Sequence, residues 1–181
     1  LAIFVTMEES IMFKVTENAP NFTMQALVGD ETKDIKLKDF RGKWLVMFFY
    51  TGDATVVCPN EITSFRDSYD HFKKLDAELL AVSVDSIEAH KTLAGDIGIM
   101  PFPWGSDIDR KVSRDYNVLL EEKGIAMRGL FIIDPEGVVR YQLVQEPTVG
   151  RSVDEILRVM EAFHTGEICP VNWKPGEKTL S

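Results

Sequence analysis

The sequence predicts an α/β layered domain, and three observations carry that reading. Continuous apolar runs of central-strand length recur along the chain. Helical apolar stripes lie between them, and a hairpin signal followed by one more helix closes the regular part. An uninterrupted apolar run marks a strand buried on both faces, as in a sheet flanked by helices.

The first such run is Trp44 to Tyr50, WLVMFFY. After Cys58-Pro59, the residues Ile62, Phe65, Tyr69, Phe72 and Leu75 fall on one helical face. Pro59 suits a first helical turn, where its missing N–H costs nothing. A second strand reads from Leu79 to Val84, LLAVSV. Between Gly95 and Asp107 the chain is rich in Gly and Pro, which predicts an irregular surface loop. The run Gly129 to Ile133 is a third strand, and Asp134-Pro135-Glu136-Gly137 turns it into Val138 to Val144. Ser152 and Glu155 then read as a capping box for a helix striped by Val153, Ile156, Leu157, Met160 and Phe163. Strand, helix, strand, helix, hairpin and final helix make the layered domain. The tail after Gly166 is punctuated by Pro and Gly, carries Cys169 and an isolated Trp173, and has no room for a long regular element.

Bulk properties narrow the function. The chain has 181 residues, which suits one domain with a sizeable core. A formal net charge of −9 argues against non-specific binding to nucleic acid or anionic membrane. No apolar run approaches a membrane span. The opening Leu1 to Val5 is too short for a signal segment and lacks a basic flank, so segment 1–12 reads as a remnant or an N-terminal arm. The cytoplasm is the expected compartment.

Only two cysteines are present, Cys58 and Cys169, with no Cys-x-x-Cys, so neither a zinc knuckle nor a thioredoxin-type dithiol fits. The histidines His71, His90 and His164 show no metal spacing. Two thiols in a reducing compartment signify either buried packing or redox chemistry. Cys58 stands where a buried strand gives way to a helix, so the positive end of the helix dipole faces its position. Lowering a thiol pKa from ~8.5 to ~6 takes roughly 3.4 kcal/mol, whereas a helix terminus supplies at most ~2 kcal/mol. A cation or further hydrogen bonds must contribute, and composition alone does not say which arginine comes close.

Phe48-Phe49-Tyr50-Thr51-Gly52-Asp53-Ala54-Thr55-Val56-Val57-Cys58-Pro59-Asn60-Glu61 resembles the peroxidatic loop of typical two-cysteine peroxiredoxins. Arg128 to Asp134 resembles that family's second catalytic segment. Val149-Gly150-Arg151-Ser152, Gly166-Glu167-Ile168-Cys169-Pro170 and Trp173-Lys174-Pro175-Gly176 resemble its C-terminal signatures. The resemblance runs from about Phe13 to Thr179 in one order. It implies a thioredoxin-like fold, a central mixed sheet flanked by helices, over 13–164, with a tail over 165–181 that carries the resolving cysteine.

The resemblance also implies roles. Cys58 would attack the peroxide O–O bond and become a sulfenic acid, with Thr55 hydrogen-bonding thiolate and peroxide. Arg128 would stabilise the thiolate and the departing oxygen, held by Glu61 and Arg151. Cys169 of the partner subunit would resolve the sulfenic acid as an intersubunit disulfide. A thioredoxin-like protein or a flavoprotein disulfide reductase would restore both thiols. The substrates would be hydrogen peroxide and small organic hydroperoxides, with no cofactor or metal. A homodimer, and a decamer built from five dimers, is the expected assembly.

Three departures from the family pattern stand out. Thr51 replaces a proline, and Ala54 and Val56 replace aromatic residues flanking the threonine. Gly95-Asp96-Ile97-Gly98 stands where easily over-oxidised members carry a Gly-Gly-Leu-Gly insertion, and twelve residues follow Cys169 with no Tyr-Phe helix. The third departure predicts resistance to sulfinic acid formation. The first two make an oligomeric holdase chaperone, or a redox sensor with weak peroxidase activity, the competing function.

Overall fold

The computed structural model describes residues 14–53 and 58–180, and for Cys58 the backbone alone. Thr55, Ala54 and Val56 lie outside the described residues, as do segment 1–12 and Phe13. The architecture is a mixed seven-stranded sheet with helices on its faces. The strands are β1 (Thr23–Val28), β2 (Glu31–Lys36), β3 (Trp44–Phe49), β4 (Ala77–Ser83), β5 (Trp104–Ser106), β8 (Arg128–Ile133) and β9 (Val139–Gln145). Their order is β2-β1-β5-β4-β3-β8-β9. The central β3, β4 and β5 run parallel, and β1–β2, β1–β5, β3–β8 and β8–β9 pair antiparallel. A small hairpin, β6 (Leu119–Leu120) with β7 (Ile125–Ala126), stands apart.

The apolar runs do what continuous apolarity requires. In β3, Val46 and Phe48 enter one core with Phe65, Phe72, Ile156 and Met160. Leu45, Met47 and Phe49 enter the other with Phe22, Tyr116, Val118 and Phe131. Adjacent residues therefore feed opposite cores, and each face excludes water. Phe48 stacks on Phe65 with centroids 4.1 Å apart, which locks the strand to the helix that follows it.

That helix begins at Cys58. The expected single helix is broken into α1 (Cys58–Asp67) and α2 (Tyr69–Lys74), with Ser68 between them at φ −97° and ψ 1°. The apolar stripe survives the break: Ile62, Phe65 and Phe72 are fully buried, and Tyr69 and Leu75 pack at the margin. Helix α3 spans Ile87–Ile97, α4 spans Lys111–Asp115, and α5 spans Val153–Thr165.

Two local expectations are corrected. The stretch from Gly95 to Asp107 is not an irregular surface loop. Gly95 to Ile97 is the last turn of α3, Gly98 ends that helix at φ 92°, and Trp104–Ser106 is β5 inside the sheet. Met100, Phe102 and Trp104 are buried, so the prolines punctuate a core segment. A three-residue strand is too short to display a period. At α5, the Ser152 hydroxyl accepts from the Glu155 N–H at 3.2 Å, but the reciprocal half of the capping box is not formed. The Glu155 carboxylate instead takes a two-point bond from Arg158, at 2.6 and 2.7 Å. The guanidinium one turn later offers a charged two-donor fork, stronger than a single backbone N–H.

Candidate active site

Three residues from three distant parts of the chain meet at the start of α1. Glu61 lies in the first turn of that helix, one turn after Cys58. Arg128 opens β8, and Arg151 directly precedes the Ser152 cap of α5. The Arg128 Nη1 donates to Glu61 Oε2 at 2.7 Å. Arg151 grips the same carboxylate with Nε at 2.8 Å, Nη2 at 2.7 Å and its backbone N–H at 3.0 Å. Glu61 thus joins two cations that stand 67 and 90 positions away in sequence.

All three side chains are buried. A buried ion pair persists only when its hydrogen bonds are met, and here the chain supplies them. Arg151 Nη1 donates to the Gly129 carbonyl at 2.5 Å, and its guanidinium lies 5.4 Å over the Phe48 ring. Arg128 Nε donates to the Pro147 carbonyl at 2.7 Å. The bonds to Pro147 and Glu61 engage two of the five N–H groups that a guanidinium carries. Burial by itself would raise the Glu61 carboxyl. The hydrogen bonds and charge of Arg151, then the charge of Arg128, outweigh it and hold that carboxyl below its ordinary range. Two cations against one carboxylate leave one positive charge in excess at the N-terminal end of α1.

A polar groove of about 560 Å³ opens beside this cluster, with Asn60, Ser64, Arg151 and Ser152 among its lining residues. Among the described residues, no group of three or more His, Cys, Asp or Glu is placed to hold a metal ion.

Cys169 is elsewhere. It follows α5, near the Thr165 hydroxyl at 3.6 Å and the Ala162 carbonyl at 4.0 Å. Helix α5 starts beside the Glu61–Arg151 contact and ends beside Cys169. Its thirteen residues span about 20 Å at ~1.5 Å per residue. The tail is anchored by Trp173, which is 3% exposed. Its indole N–H donates to the Glu177 carbonyl at 3.0 Å, and Arg158 donates to the Trp173 carbonyl at 3.3 Å. Leu180 N–H closes the tail on the Ile168 carbonyl at 2.8 Å. Trp173 shares a surface hollow with Lys74 and Leu75 at the end of α2.

Sequence reasoning missed one polar cluster, which includes a residue five positions before Cys58. Tyr50, Asp53, His90 and Trp104 form a connected buried network at the end of β3. The available signal was polar and aromatic residues standing at ends of apolar runs, which is weak without the fold.

Comparisons with known proteins identify the family. Residues 15–142 match the AhpC/TSA family model, and residues 162–181 match that of the C-terminal domain of 1-Cys peroxiredoxin. A thioredoxin peroxidase of Echinococcus granulosus is 48% identical over 172 residues, covering 90% of this chain and 89% of the relative. The reduced 2-Cys peroxiredoxin of Plasmodium vivax superposes with a TM-score of 0.87 at 36% identity, over 92% of each chain. AhpC of Mycobacterium tuberculosis gives 0.81 at 35% identity, over 90% of this chain and 99% of that one. No helix among the described residues is long and apolar enough to cross a membrane. With this fold, and a buried arginine pair clamped to the first turn of the helix that Cys58 opens, the chain belongs to the AhpC/TSA family and is a peroxiredoxin, a thiol-dependent peroxidase.

Proposed function

We propose that Cys58 is the peroxide-attacking nucleophile, reducing hydrogen peroxide and small organic hydroperoxides. The observation that carries this is the buried Glu61–Arg128–Arg151 cluster one helical turn from the Cys58 position. It supplies the cation that a helix terminus lacks, and water exclusion strengthens it. The Cys58 thiolate attacks one peroxide oxygen, the O–O bond breaks, and Cys58 becomes a sulfenic acid. The departing alkoxide or hydroxide takes a proton and leaves as alcohol or water. Arg128 stabilises the charge on both oxygens with its remaining N–H groups, and Glu61 and Arg151 hold it in place. Thr55 donates and accepts through its hydroxyl between thiolate and peroxide.

Cys169 of a partner subunit then resolves the intermediate. Its thiol attacks the Cys58 sulfur, water leaves, and an intersubunit disulfide forms. The opposite ends of α5 support a partner's thiol over the chain's own, since about 20 Å of helix separates the cluster from the start of the tail. Past Val139, which bonds Thr16 and Glu17, the outer side of the edge strand β9 has no strand partner among the described residues, and a second copy pairing there would form the dimer. Five such dimers would form the decamer. A thioredoxin-like or flavoprotein dithiol reduces the disulfide, returning both thiols. In this reading 13–164 is the peroxidase domain and 165–181 the resolving tail.

Stopped-flow reaction of the reduced protein with hydrogen peroxide tests the nucleophile. Cys58→Ser should abolish the fast phase, and an unchanged fast phase would reject the assignment. On non-reducing gels, oxidised protein should run as a dimer and Cys169→Ser as a monomer. An oxidised wild-type monomer would reject the intersubunit bridge.

A further inference from the structure

The network between Tyr50 and His90 is closed, and the direction of most of its bonds is forced. Trp104 Nε1 donates to the Tyr50 hydroxyl at 2.5 Å. An indole N–H only donates, so the Tyr50 hydrogen goes to Asp53 Oδ1, 2.6 Å away. Burial first, and then the Asp53 charge, push the Tyr50 phenol well above its ordinary range, so it keeps that hydrogen. The other Asp53 oxygen stands 2.7 Å from His90 Nδ1, and His90 Nε2 faces the Gly105 carbonyl at 3.2 Å. The imidazole lies flat on the Trp104 indole, with centroids 4.9 Å apart and 12° between planes. The backbone N–H of Asp53 donates to Asp85 Oδ2 at 3.0 Å, and Ser83 Oγ donates to that same oxygen at 2.8 Å. His90 and Tyr50 are fully buried, and the Asp53 side chain is 9% exposed.

We propose that His90 is a positioning residue for the peroxide reaction, acting through Asp53 on the chain segment that leads into Cys58. Asp53 stands five positions before Cys58, and both its carboxylate oxygens and its backbone N–H are tied down. These ties come from three places: Tyr50 directly after β3, His90 in α3, and Asp85 in the turn after β4. Each of these ties helps to set where the segment departs from the sheet, alongside the contacts of Thr51 and Gly52. Both ring nitrogens of His90 face oxygens, and a carbonyl has no hydrogen to give. Nε2 therefore carries a hydrogen for the Gly105 carbonyl, and a second hydrogen lies between Nδ1 and Asp53 Oδ2. An asparagine at position 53 can supply that second hydrogen without charge: its amide N–H donates to His90 Nδ1 while its carbonyl accepts from Tyr50.

The inference rests on Cys58 as nucleophile, and one set of variants separates the two. The hydrogen peroxide rate constant and the rate of Cys58 alkylation by iodoacetamide are measured for wild type, Cys58→Ser, His90→Ala, Asp53→Ala and Asp53→Asn. Misplacing the attacking segment should slow the peroxide reaction of His90→Ala and Asp53→Ala by roughly ten- to a hundredfold. Alkylation, which needs the thiolate but no aligned loop, should change less than about threefold. Asp53→Asn should recover most of what Asp53→Ala loses. A folded His90→Ala with the wild-type peroxide rate overturns the inference, as does Asp53→Asn no faster than Asp53→Ala. Should His90→Ala fail to fold, the two Asp53 variants decide. An unchanged Cys58→Ser would instead bring down the nucleophile assignment itself.

Discussion

Replacing Glu61 with glutamine removes the one negative charge in the buried cluster while keeping the side chain's shape. Four N–H groups now converge on that carboxylate, at 2.7 to 3.0 Å, three from Arg151 and one from Arg128. The glutamine oxygen can accept some of these, but its amide faces guanidinium donors. Breaking a buried ion pair from one side costs about 3–5 kcal/mol, because the remaining charges stay desolvated. The retained oxygen places Glu61→Gln near the lower end, about 3 kcal/mol, a large share of the ~5–15 kcal/mol that holds a typical domain together. With a urea slope of roughly 1–3 kcal/mol per M, the unfolding midpoint should fall by about 1 to 3 M at pH 7. Both proteins must be compared at one concentration, since assembly adds to apparent stability. The sign with pH follows from the depressed Glu61 carboxyl. Its contribution is complete above the ordinary glutamate value of ~4.3 and is lost as pH falls through the lower folded value. The gap between wild type and variant should therefore narrow in acid. A midpoint shift below about 0.3 M at pH 7 would refute the reasoning, as would a gap that is equally wide at pH 3 and pH 7.

Two further perturbations probe the surroundings of the cluster. A Cβ on Gly129 would stand 2.5 Å from Val118 Cγ1, a stiff branched side chain, so Gly129→Ala should cost about 1–3 kcal/mol. Because the Gly129 carbonyl accepts from Arg151, the same variant should also slow peroxide reduction; a wild-type urea midpoint would contradict this. Trp173→Ala removes the buried anchor of the tail, so limited proteolysis should cut after α5 faster than in wild type while the rest of the chain stays resistant. Equal cutting rates would mean that the other tail contacts suffice.

Much of the fold was legible because it rests on local chemistry. The run from Trp44 to Tyr50 is apolar at every position, and both faces of β3 are buried. The Asp134–Gly137 turn, with Gly137 at φ 83°, makes the β8–β9 hairpin the residues predict. The hairpin of β1 and β2 was not legible: β2 carries one buried residue, Ile35, among charged and polar neighbours. Helix α1 breaks at Ser68 although its stripe continues, since periodicity reports a face and not an unbroken backbone.

The candidate site divides the same way. Sequence by itself determined that Cys58 opens a helix after a buried strand, that Glu61 lies in its first turn, and that Cys169 belongs to an irregular tail. Each of these depends on neighbours in the chain. Only the tertiary structure decided that Arg128 and Arg151 converge on one carboxylate, and that α5 carries Cys169 to its far end. Only the tertiary structure joined His90 to Asp53, across 37 positions. Those contacts depend on strand order and helix packing, which bring distant residues together through burial that no local pattern encodes. The energy that makes them matter, charge held in a water-free interior, exists only once the sheet has closed over them.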